Sequence, residues 1–517
     1  MGLRRWFLNL IALQEKRAYD TFVLLLFCVF VAGVRVLLEW LLGGFATAFP
    51  LPVFVSFVAF YWSCIFALAV ILRLVVPSPW RSTVNVVLTG VFLGVLPPFI
   101  DVLLAGRGAF LYRYDFDFPN GGGFAMYAPA NGVPMGETII VWSTIAFTML
   151  YVAVRTRTAW RVLLAGALCY VAMLWNGALL PTSIVWLSGA LGLPEGSRGF
   201  LMVLTQTLVP LVFYLGVLRP EVGRWLLWRS QHALPFVLMC LLGGLLTAPW
   251  HVGLGVYAAL LYVVVLVCLA QNDCYDIEED AAGGRPMVVD REDKRFLEIT
   301  GGLLLLCVGL YTSSATVIPL TVFLAVSYLY SYPFYRGKKY FPANLKMEGV
   351  WGWSAFLVGA VAGMEYHAMQ QLPPWTTGES PYGRVTGPFP AAVGVGALLA
   401  FAGHSVLAIL KDYKDWQADL SARVQTVYTL AHRRGYSVER LHARVVILAM
   451  LCLAASVVLL TFVRTLPMAS IALGLLPALF LGWVSWSRRS FGWSLLAIDL
   501  HLAALASMLV YGGVDGG

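Results

Sequence analysis

The stretch GLGVYAALLYVVVLVCLAQNDCYDIEED, residues 253–280, joins an apolar run to a cluster of five carboxylates. A membrane-spanning helix needs about 20 apolar residues, and the run before Asn272 supplies that length. Asp273, Asp276 and Asp280 stand at positions i, i+3 and i+7, which places them on one face of a helix. The stretch therefore predicts a membrane helix with an acidic face at one end.

A second stretch repeats this arrangement further along the chain. The residues KDYKDWQAD, 411–419, close another apolar run, and Asp412, Asp415 and Asp419 have the same spacing as the first trio. Each trio ends a predicted span at a matching depth. We therefore predict that the two aspartate stretches, residues 272–280 and 411–419, contribute to one site.

The composition is that of an integral membrane protein. Of the 517 residues, 60% are hydrophobic and 12% are charged, whereas a typical soluble domain has roughly 25% charged residues. Successive apolar runs of spanning length favour helices over the short alternating strands of a barrel. We predict an all-α integral membrane protein with about 15 transmembrane helices.

A basic connection, RPEVGRWLLWR at residues 219–229, marks the predicted internal boundary. Its arginines and tryptophans are typical of a segment at the cytoplasmic interface. We predict a membrane part of unknown role at residues 1–229, with about six helices, and a second part at residues 230–517, with about nine. Both aspartate stretches lie in the second part.

The basic residues indicate the orientation of the chain in the membrane. The net charge of +8 is dispersed among short loops rather than gathered in a stripe, so we do not predict a nucleic-acid partner. With the N-terminus in the cytoplasm, 29 of the 35 Lys and Arg fall on the cytoplasmic side. The exceptions are Arg35, Arg107, Arg113, Arg198, Arg384 and Arg464. Both aspartate stretches then face the cytoplasm.

The two acidic faces predict magnesium. Acids at a membrane edge are costly unless a cation offsets them, and magnesium prefers oxygen ligands shared with substrate phosphates. The eight cysteines form no C-x-x-C pair, so we predict neither zinc nor disulfides. We expect two or three magnesium ions around one diphosphate. The candidate ligands are Asn272, Asp273, Asp276, Asp280, Asp412, Asp415 and Asp419. The alternative is that these acids are solvated groups at helix ends.

These motifs resemble a known family. Asn272-Asp273-x-x-Asp276-x-x-x-Asp280 is similar to the first signature of the UbiA superfamily of intramembrane prenyltransferases, and Asp412-x-x-Asp415-x-x-x-Asp419 is similar to the second. Arg285-Pro286 resembles the basic pair downstream of the first signature. YSYPFYR at residues 330–336 resembles the segment that ends the fourth helix, with Arg336 where a lysine is expected. The resemblance covers about residues 230–517, whose nine predicted spans match the family's nine-helix bundle.

The resemblance implies a reaction and a set of roles. A prenyl diphosphate is held by magnesium between the two trios, its tail enters an opening toward lipid, and an aromatic or lipidic acceptor receives the prenyl group. The six aspartates are then catalytic and bind metal. The implied diphosphate-binding residues are Arg285, Arg336, Lys338 and Lys411. The implied substrate-pocket residues are Asn272, Tyr275, Tyr332 and His404.

Three alternatives remain open at the level of sequence. Two lie within the superfamily: a membrane terpene cyclase, and a transferase that moves a glycosyl or phosphoribosyl group to a lipid phosphate. The third is a transporter or lipid-handling scaffold with cation-binding acids. A cyclic product formed without an acceptor would identify the first.

The N-terminal part contains a small group of intramembrane charges. Arg35 and Glu39 are spaced i, i+4 near the outer end of the first apolar run, and Asp101 lies near the outer end of the third. Intramembrane charges tend to pair, so we predict an Arg35–Glu39 ion pair. The alternative is an outer-leaflet polar site that includes Arg113, Asp115 and Asp117.

Overall fold

The structure is a computed structural model. It describes residues 9, 11–12, 15, 21–43, 51–105, 134–190, 197–276, 289–311, 314–332, 335–370, 391–421, 423–463, 468–486 and 491–511. Every regular element within these ranges is helical, which confirms the predicted all-α class. The chain divides into two compact units. One comprises Met1–Arg224 and Arg291–Tyr311, and the other comprises Trp225–Asp290 and Thr312–Gly517.

Eighteen α-helices follow one another along the described part of the chain. In order they are α1 (Thr21–Gly43), α2 (Leu51–Val75), α3 (Trp80–Val91), α4 (Pro97–Ala105), α5 (Met135–Thr156), α6 (Ala159–Leu174), α7 (Leu180–Ala190), α8 (Ser197–Phe213), α9 (Pro220–Thr247), α10 (Val252–Tyr275), α11 (Arg291–Tyr311), α12 (Ser314–Ser331), α13 (Ala343–Gln370), α14 (Ala391–Ser421), α15 (Val427–Arg433), α16 (Val438–Val463), α17 (Met468–Trp486) and α18 (Phe491–Tyr511). Short 3₁₀ or π segments occupy Phe92–Val95, Trp175–Leu179, Tyr214–Leu218 and Gly337–Lys339.

Many of these helices have the length and composition of membrane spans. Within the described ranges, ten segments are long and apolar enough to cross a membrane. They include Gly253–Tyr275 and Ala391–Gln417, which carry the first residues of the two aspartate stretches. Shorter apolar helices occur at Thr316–Ser331, Leu475–Val484 and Ser494–Ser507. The predicted total of about 15 spans stays a prediction.

The core of the first unit is an aromatic cluster around α2. Trp62 and Phe66 of α2 pack against Phe296 of α11, with ring centroids 5.8 and 4.9 Å apart. Phe296 also stacks on Tyr214, with centroids 3.9 Å apart. All four side chains are fully buried, and aromatic pairs of this kind contribute about 0.5–1.5 kcal/mol beyond area burial. The cluster therefore holds α11 firmly within the first unit.

A buried carboxylate reinforces this packing. Asp293 of α11 has no exposed surface. It accepts a hydrogen bond of 2.6 Å from the Tyr214 hydroxyl and forms an ion pair of 2.9 Å with Arg219. The sequence pattern places residues 291–311 in the part that begins at residue 230, whereas this helix packs with the N-terminal helices. The boundary at residue 230 stays a prediction about the sequence.

The predicted ion pair between Arg35 and Glu39 is confirmed. Arg35 also bonds Glu137 of α5 at 2.7 Å, and Asp101 accepts a 2.6 Å hydrogen bond from the backbone N–H of Gly136. These contacts stabilise three helices against one another in the first unit. Arg113, Asp115 and Asp117 lie outside the described residues.

The second unit contains a close helix crossing that positions the candidate site. A Cβ atom at Gly359 of α13 would lie 1.7 Å from the carbonyl oxygen of Cys240 in α9. A Cβ atom at Gly243 would lie 2.0 Å from the carbonyl oxygen of Phe356. Only glycine permits such an approach of two backbones. The crossing therefore fixes α9, which carries Arg229, against α13, which carries Glu348.

Candidate active site

The first aspartate stretch begins at the C-terminal end of α10, in the second unit. Asp276 caps the helix, and its backbone N–H donates to the carbonyl oxygen of Asn272 at 3.0 Å. The Asn272 amide nitrogen donates to the Asp276 carboxylate at 2.9 Å, and its oxygen accepts a 2.8 Å hydrogen bond from the Ser331 hydroxyl. Asn272 therefore joins the aspartate stretch to the end of α12.

Three cations surround the first two aspartates. One nitrogen of Arg229 contacts both carboxylate oxygens of Asp273, at 2.8 and 2.7 Å. Arg336 approaches Asp276 at 3.4 Å, and Lys338 forms an ion pair with the same carboxylate. All five side chains are mostly shielded from solvent. The structure thus brings two predicted diphosphate-binding residues, Arg336 and Lys338, to the predicted acids.

Arg336 has an unusual backbone conformation. Its φ angle is 47°, which a residue other than glycine seldom adopts. The backbone N–H of Arg336 donates to the carbonyl oxygen of Tyr332 at 2.8 Å, and the guanidinium donates to the carbonyl oxygen of Tyr275 at 3.1 Å. Such backbone strain persists where several contacts hold it, and it clusters at functional sites.

The second aspartate stretch lies within a single long helix, α14. Asp412, Asp415 and Asp419 are all half-buried, and Lys414 approaches Asp415 at 3.7 Å. Burial, together with the nearby carboxylate of Asp412, raises the pKa of the Tyr428 hydroxyl far above its ordinary value. Tyr428 therefore stays protonated beside this stretch.

Backbone hydrogen bonds connect the turn after α14 to the Gly337–Lys339 segment. After α14 the chain turns, and the N–H of Val424 donates to the carbonyl oxygen of Asp419 at 2.9 Å. The next N–H, of Gln425, donates to the carbonyl oxygen of Lys339 at 3.0 Å. Because Lys338 contacts Asp276, this pairing ties the end of the second stretch to the cations of the first.

A half-buried tyrosine lies near acids of both stretches. The carboxylates of Asp276 and Asp412 both act electrostatically on Tyr330 of α12. The Tyr330 hydroxyl donates to Glu348 of α13 at 3.0 Å. Glu348 also lies 3.3 Å from Nε2 of His404 and 3.6 Å from Nζ of Lys411. Residues of both stretches are thus linked through Tyr330 and Glu348.

Aromatic rings line the same end of α10 and α12. Tyr275 meets Tyr332 edge to face at 5.8 Å, and Tyr328 stacks on Tyr332 at 4.6 Å. Tyr330 packs against Trp351 at 4.7 Å. The ring faces of such residues stabilise nearby positive charge. Tyr275 and Tyr332, predicted as pocket residues, therefore lie together.

An apolar cavity of about 110 Å³ runs alongside α14. Along that helix it is lined from Gly396 to Leu410, which immediately precedes Lys411. Side chains of α9, α13, α16, α17 and α18 complete the wall, and the polar residues Ser456 and His501 lie on it. At about 1.5 Å of rise per residue, the lined part of α14 extends roughly 21 Å.

The structure adds residues that the sequence pattern does not single out. The sequence pattern indicates only an interfacial anchor at Arg229. Tyr330 and Ser331 belong to a predicted motif but are given no role of their own, and Glu348 is given none. A signal exists for Glu348, because an ionisable residue at the start of an apolar run indicates function. Two predicted site residues, Asp280 and Arg285, lie outside the described part of the chain.

The chain is similar to a known protein family and to two solved structures. The model of the UbiA prenyltransferase family matches residues 233–491. Two solved structures are similar over 55% of this chain. One is a digeranylgeranylglyceryl phosphate synthase, 17% identical, with 96% of its length covered and a TM-score of 0.37. The other is a UbiA homolog from Aeropyrum pernix K1, 18% identical, with 98% covered and a TM-score of 0.40. No curated protein matches the chain.

Proposed function

Because the chain belongs to the UbiA prenyltransferase family, we propose that it transfers a prenyl group from a prenyl diphosphate to a hydrophobic acceptor within the membrane. The acceptor is aromatic or lipidic. The catalytic part is residues 230–517, and its site faces the cytoplasm, as the distribution of basic residues predicts.

The observation that carries this proposal is the group of cations around the aspartates. Arg229, Arg336 and Lys338 contact Asp273 or Asp276, and Lys411 immediately precedes Asp412. Arginine and lysine hydrogen bond phosphate oxygens strongly because both partners are charged. A site with acids to hold metal and bases to hold phosphate is suited to a metal-bound diphosphate. Arg285 is proposed to join these bases.

Magnesium is the cofactor that we propose, as two or three ions. No group of three or more acidic, histidine or cysteine side chains suited to a metal occurs among the described residues. Magnesium, however, usually takes only one or two carboxylates and completes its shell with phosphate oxygens and water, and each stretch offers that number. The donors fit, with Asn272, Asp273, Asp276 and Asp280 on one side and Asp412, Asp415 and Asp419 on the other. When bound, the metal acts as a Lewis acid on the leaving diphosphate.

Side chains of the site stabilise the charges that develop on the diphosphate and on the prenyl group. The arginines and lysines stabilise negative charge as it develops on the departing diphosphate. The rings of Tyr275, Tyr328 and Tyr332 stabilise the allylic cation that remains. The apolar cavity beside α14 holds the prenyl tail, since its wall is almost wholly apolar. We propose His404 as a residue of the acceptor pocket.

The proposal is tested by incubating the purified chain with magnesium, prenyl diphosphates of increasing length and a membrane lipid extract. We expect release of diphosphate and a prenyl adduct detected by mass spectrometry, both abolished by EDTA and restored by magnesium. A cyclic hydrocarbon or alcohol formed without any acceptor would contradict the transferase proposal. Absence of diphosphate release with every chain length would contradict the enzymatic proposal altogether.

A matched control separates loss of the site from general loss of structure. Asp499 is a buried aspartate on α18, remote in sequence from both stretches. Asp412→Asn should abolish magnesium-dependent diphosphate release, whereas Asp499→Asn should leave it within a few-fold of the parent chain. Equal losses in the two variants would indicate that the assay reports only folding.

A further inference from the structure

Glu348 contacts three side chains, those of Tyr330, His404 and Lys411. Its side chain is almost fully buried. It accepts a 3.0 Å hydrogen bond from the Tyr330 hydroxyl and lies 3.3 Å from Nε2 of His404 and 3.6 Å from Nζ of Lys411. A buried carboxylate needs such donors, because burying an unpaired charge is costly. All three of these neighbours are hydrogen-bond donors, so the Glu348 carboxylate acts as an acceptor and not as a proton donor.

This contact determines which ring nitrogen of a neutral His404 carries the hydrogen. A carboxylate accepts hydrogen bonds, so Nε2 of the neutral imidazole carries the hydrogen and Nδ1 carries a lone pair. Nδ1 of His404 has no hydrogen-bond partner among the described residues, although the side chain is only 4% exposed. The ring also packs against Phe236, with centroids 4.5 Å apart, which restricts its rotation. The result is a fixed basic nitrogen without a partner.

The position of His404 on α14 lies between the two functional faces of that helix. A helix turns by about 100° per residue. His404 is therefore rotated about 40° from Ala400, which lines the apolar cavity, and about 80° from Asp412. In a bound prenyl diphosphate, the tail would lie in the cavity and the diphosphate at the aspartates. The bond that breaks joins these two parts of the substrate. Around the helix axis, His404 therefore lies between the cavity-lining face and the acidic face, about two turns before Asp412.

Close packing keeps His404 at this position. A Cβ atom at Gly352 of α13 would lie 2.6 Å from the Cβ atom of His404 and 2.6 Å from the carbonyl oxygen of Ala400. The absence of a side chain at Gly352 thus allows α13 and α14 to approach closely at this level. The approach brings Glu348, one turn earlier on α13, to the imidazole.

We propose that His404, positioned by Glu348, is the base that takes the proton from the acceptor during prenyl transfer. The inference rests on the proposed function. A bond forms between the first carbon of the prenyl group and the acceptor atom, and the bond from that carbon to the diphosphate oxygen breaks with its electron pair leaving on the diphosphate. The proton displaced from the acceptor atom moves to Nδ1 of His404. Glu348 stabilises the imidazolium that results.

The test compares His404→Gln with the parent chain, using the acceptor found in the lipid extract. General base catalysis contributes typically 10²- to 10⁴-fold, so we expect kcat for transfer to fall at least about 100-fold. The KM for prenyl diphosphate should change less than about threefold, because its diphosphate is held by other residues. Without an acceptor, hydrolysis of the prenyl diphosphate should still release diphosphate, because residues other than His404 hold the diphosphate.

A control and a second variant make the test decisive. His442→Gln, at a half-buried histidine bonded to Tyr428, should retain parental kcat. Glu348→Gln, which changes the positioning residue, should lower kcat about tenfold or more, since orienting the imidazole is part of base catalysis. Unchanged kcat in His404→Gln, or a parallel loss of transfer and acceptor-free release, would overturn the proposal. A parent chain that releases no diphosphate would instead refute the proposed function itself.

Discussion

Replacement of Arg229 by methionine tests whether the cations of the site hold diphosphate. One Arg229 nitrogen contacts both oxygens of Asp273, and its guanidinium lies over the rings of Trp225 and Trp228, at 5.5 and 5.3 Å from their centroids. Methionine keeps most of the length of the side chain and removes its charge. Asp273 would keep its place on α10 but lose its contact with Arg229.

The size of the effect follows from these contacts. A hydrogen bond to a charged group contributes about 1.5–3 kcal/mol, and each 1.36 kcal/mol is tenfold in rate or affinity. If Arg229 binds the diphosphate in the transition state, Arg229→Met should lower kcat/KM about 10- to 150-fold. Arg229→Lys should recover part of the loss, since it restores the charge without the planar fork.

The assay is diphosphate release at increasing prenyl diphosphate concentration, with magnesium held constant. Arg224→Met provides the matched control, because Arg224 is exposed on the same helix. Its kcat/KM should stay within about twofold of the parent value, as expected of a surface substitution. Arg229 does not bind the diphosphate if Arg229→Met behaves like Arg224→Met, or if its loss is explained by a lower melting temperature alone.

Three further outcomes follow from packing. Asp293→Asn breaks a buried ion pair and should destabilise the first unit by about 3–5 kcal/mol, seen as a lower melting temperature in detergent, while Glu298→Gln on the same helix should have little effect. Gly359→Ala places a methyl group against the backbone of the facing helix and should prevent stable folding, whereas Gly394→Ala, where a Cβ meets nothing within 4 Å, should be tolerated in the same unfolding assay. Leu407→Trp fills the cavity and should shorten the longest prenyl diphosphate accepted, as measured by competition among chain lengths.

Local sequence pattern is sufficient for the helices and for part of the site. Apolar runs of spanning length predict α10 and α14 because a bilayer leaves few alternatives to a helix. The i, i+3, i+7 spacing predicts the acidic faces, and the motif at residues 330–336 predicts a role for Arg336 in diphosphate binding. These features depend on residues near one another in the chain.

Features that depend on distant residues were not predicted from the sequence. Arg229 reaches Asp273 because α9 and α10 lie side by side, and no spacing along the chain reports that contact. Glu348 becomes part of the site only through the glycine-mediated approach of α13 to its neighbours. Helix α11 lies within the span of the family match, yet Asp293 and Phe296 pack with the N-terminal helices. Such long-range packing is determined by tertiary contacts that have no local sequence signal.

The central claim is that the two aspartate stretches act as one site, and a double-mutant cycle tests it most directly. Magnesium-dependent diphosphate release is measured for Asp273→Asn, Asp412→Asn and the double variant. Residues that act as a unit show strongly non-additive effects. We expect the double variant to be no slower than the slower single variant. Losses that multiply in the double variant would contradict the claim of one site, because the two stretches would then act independently.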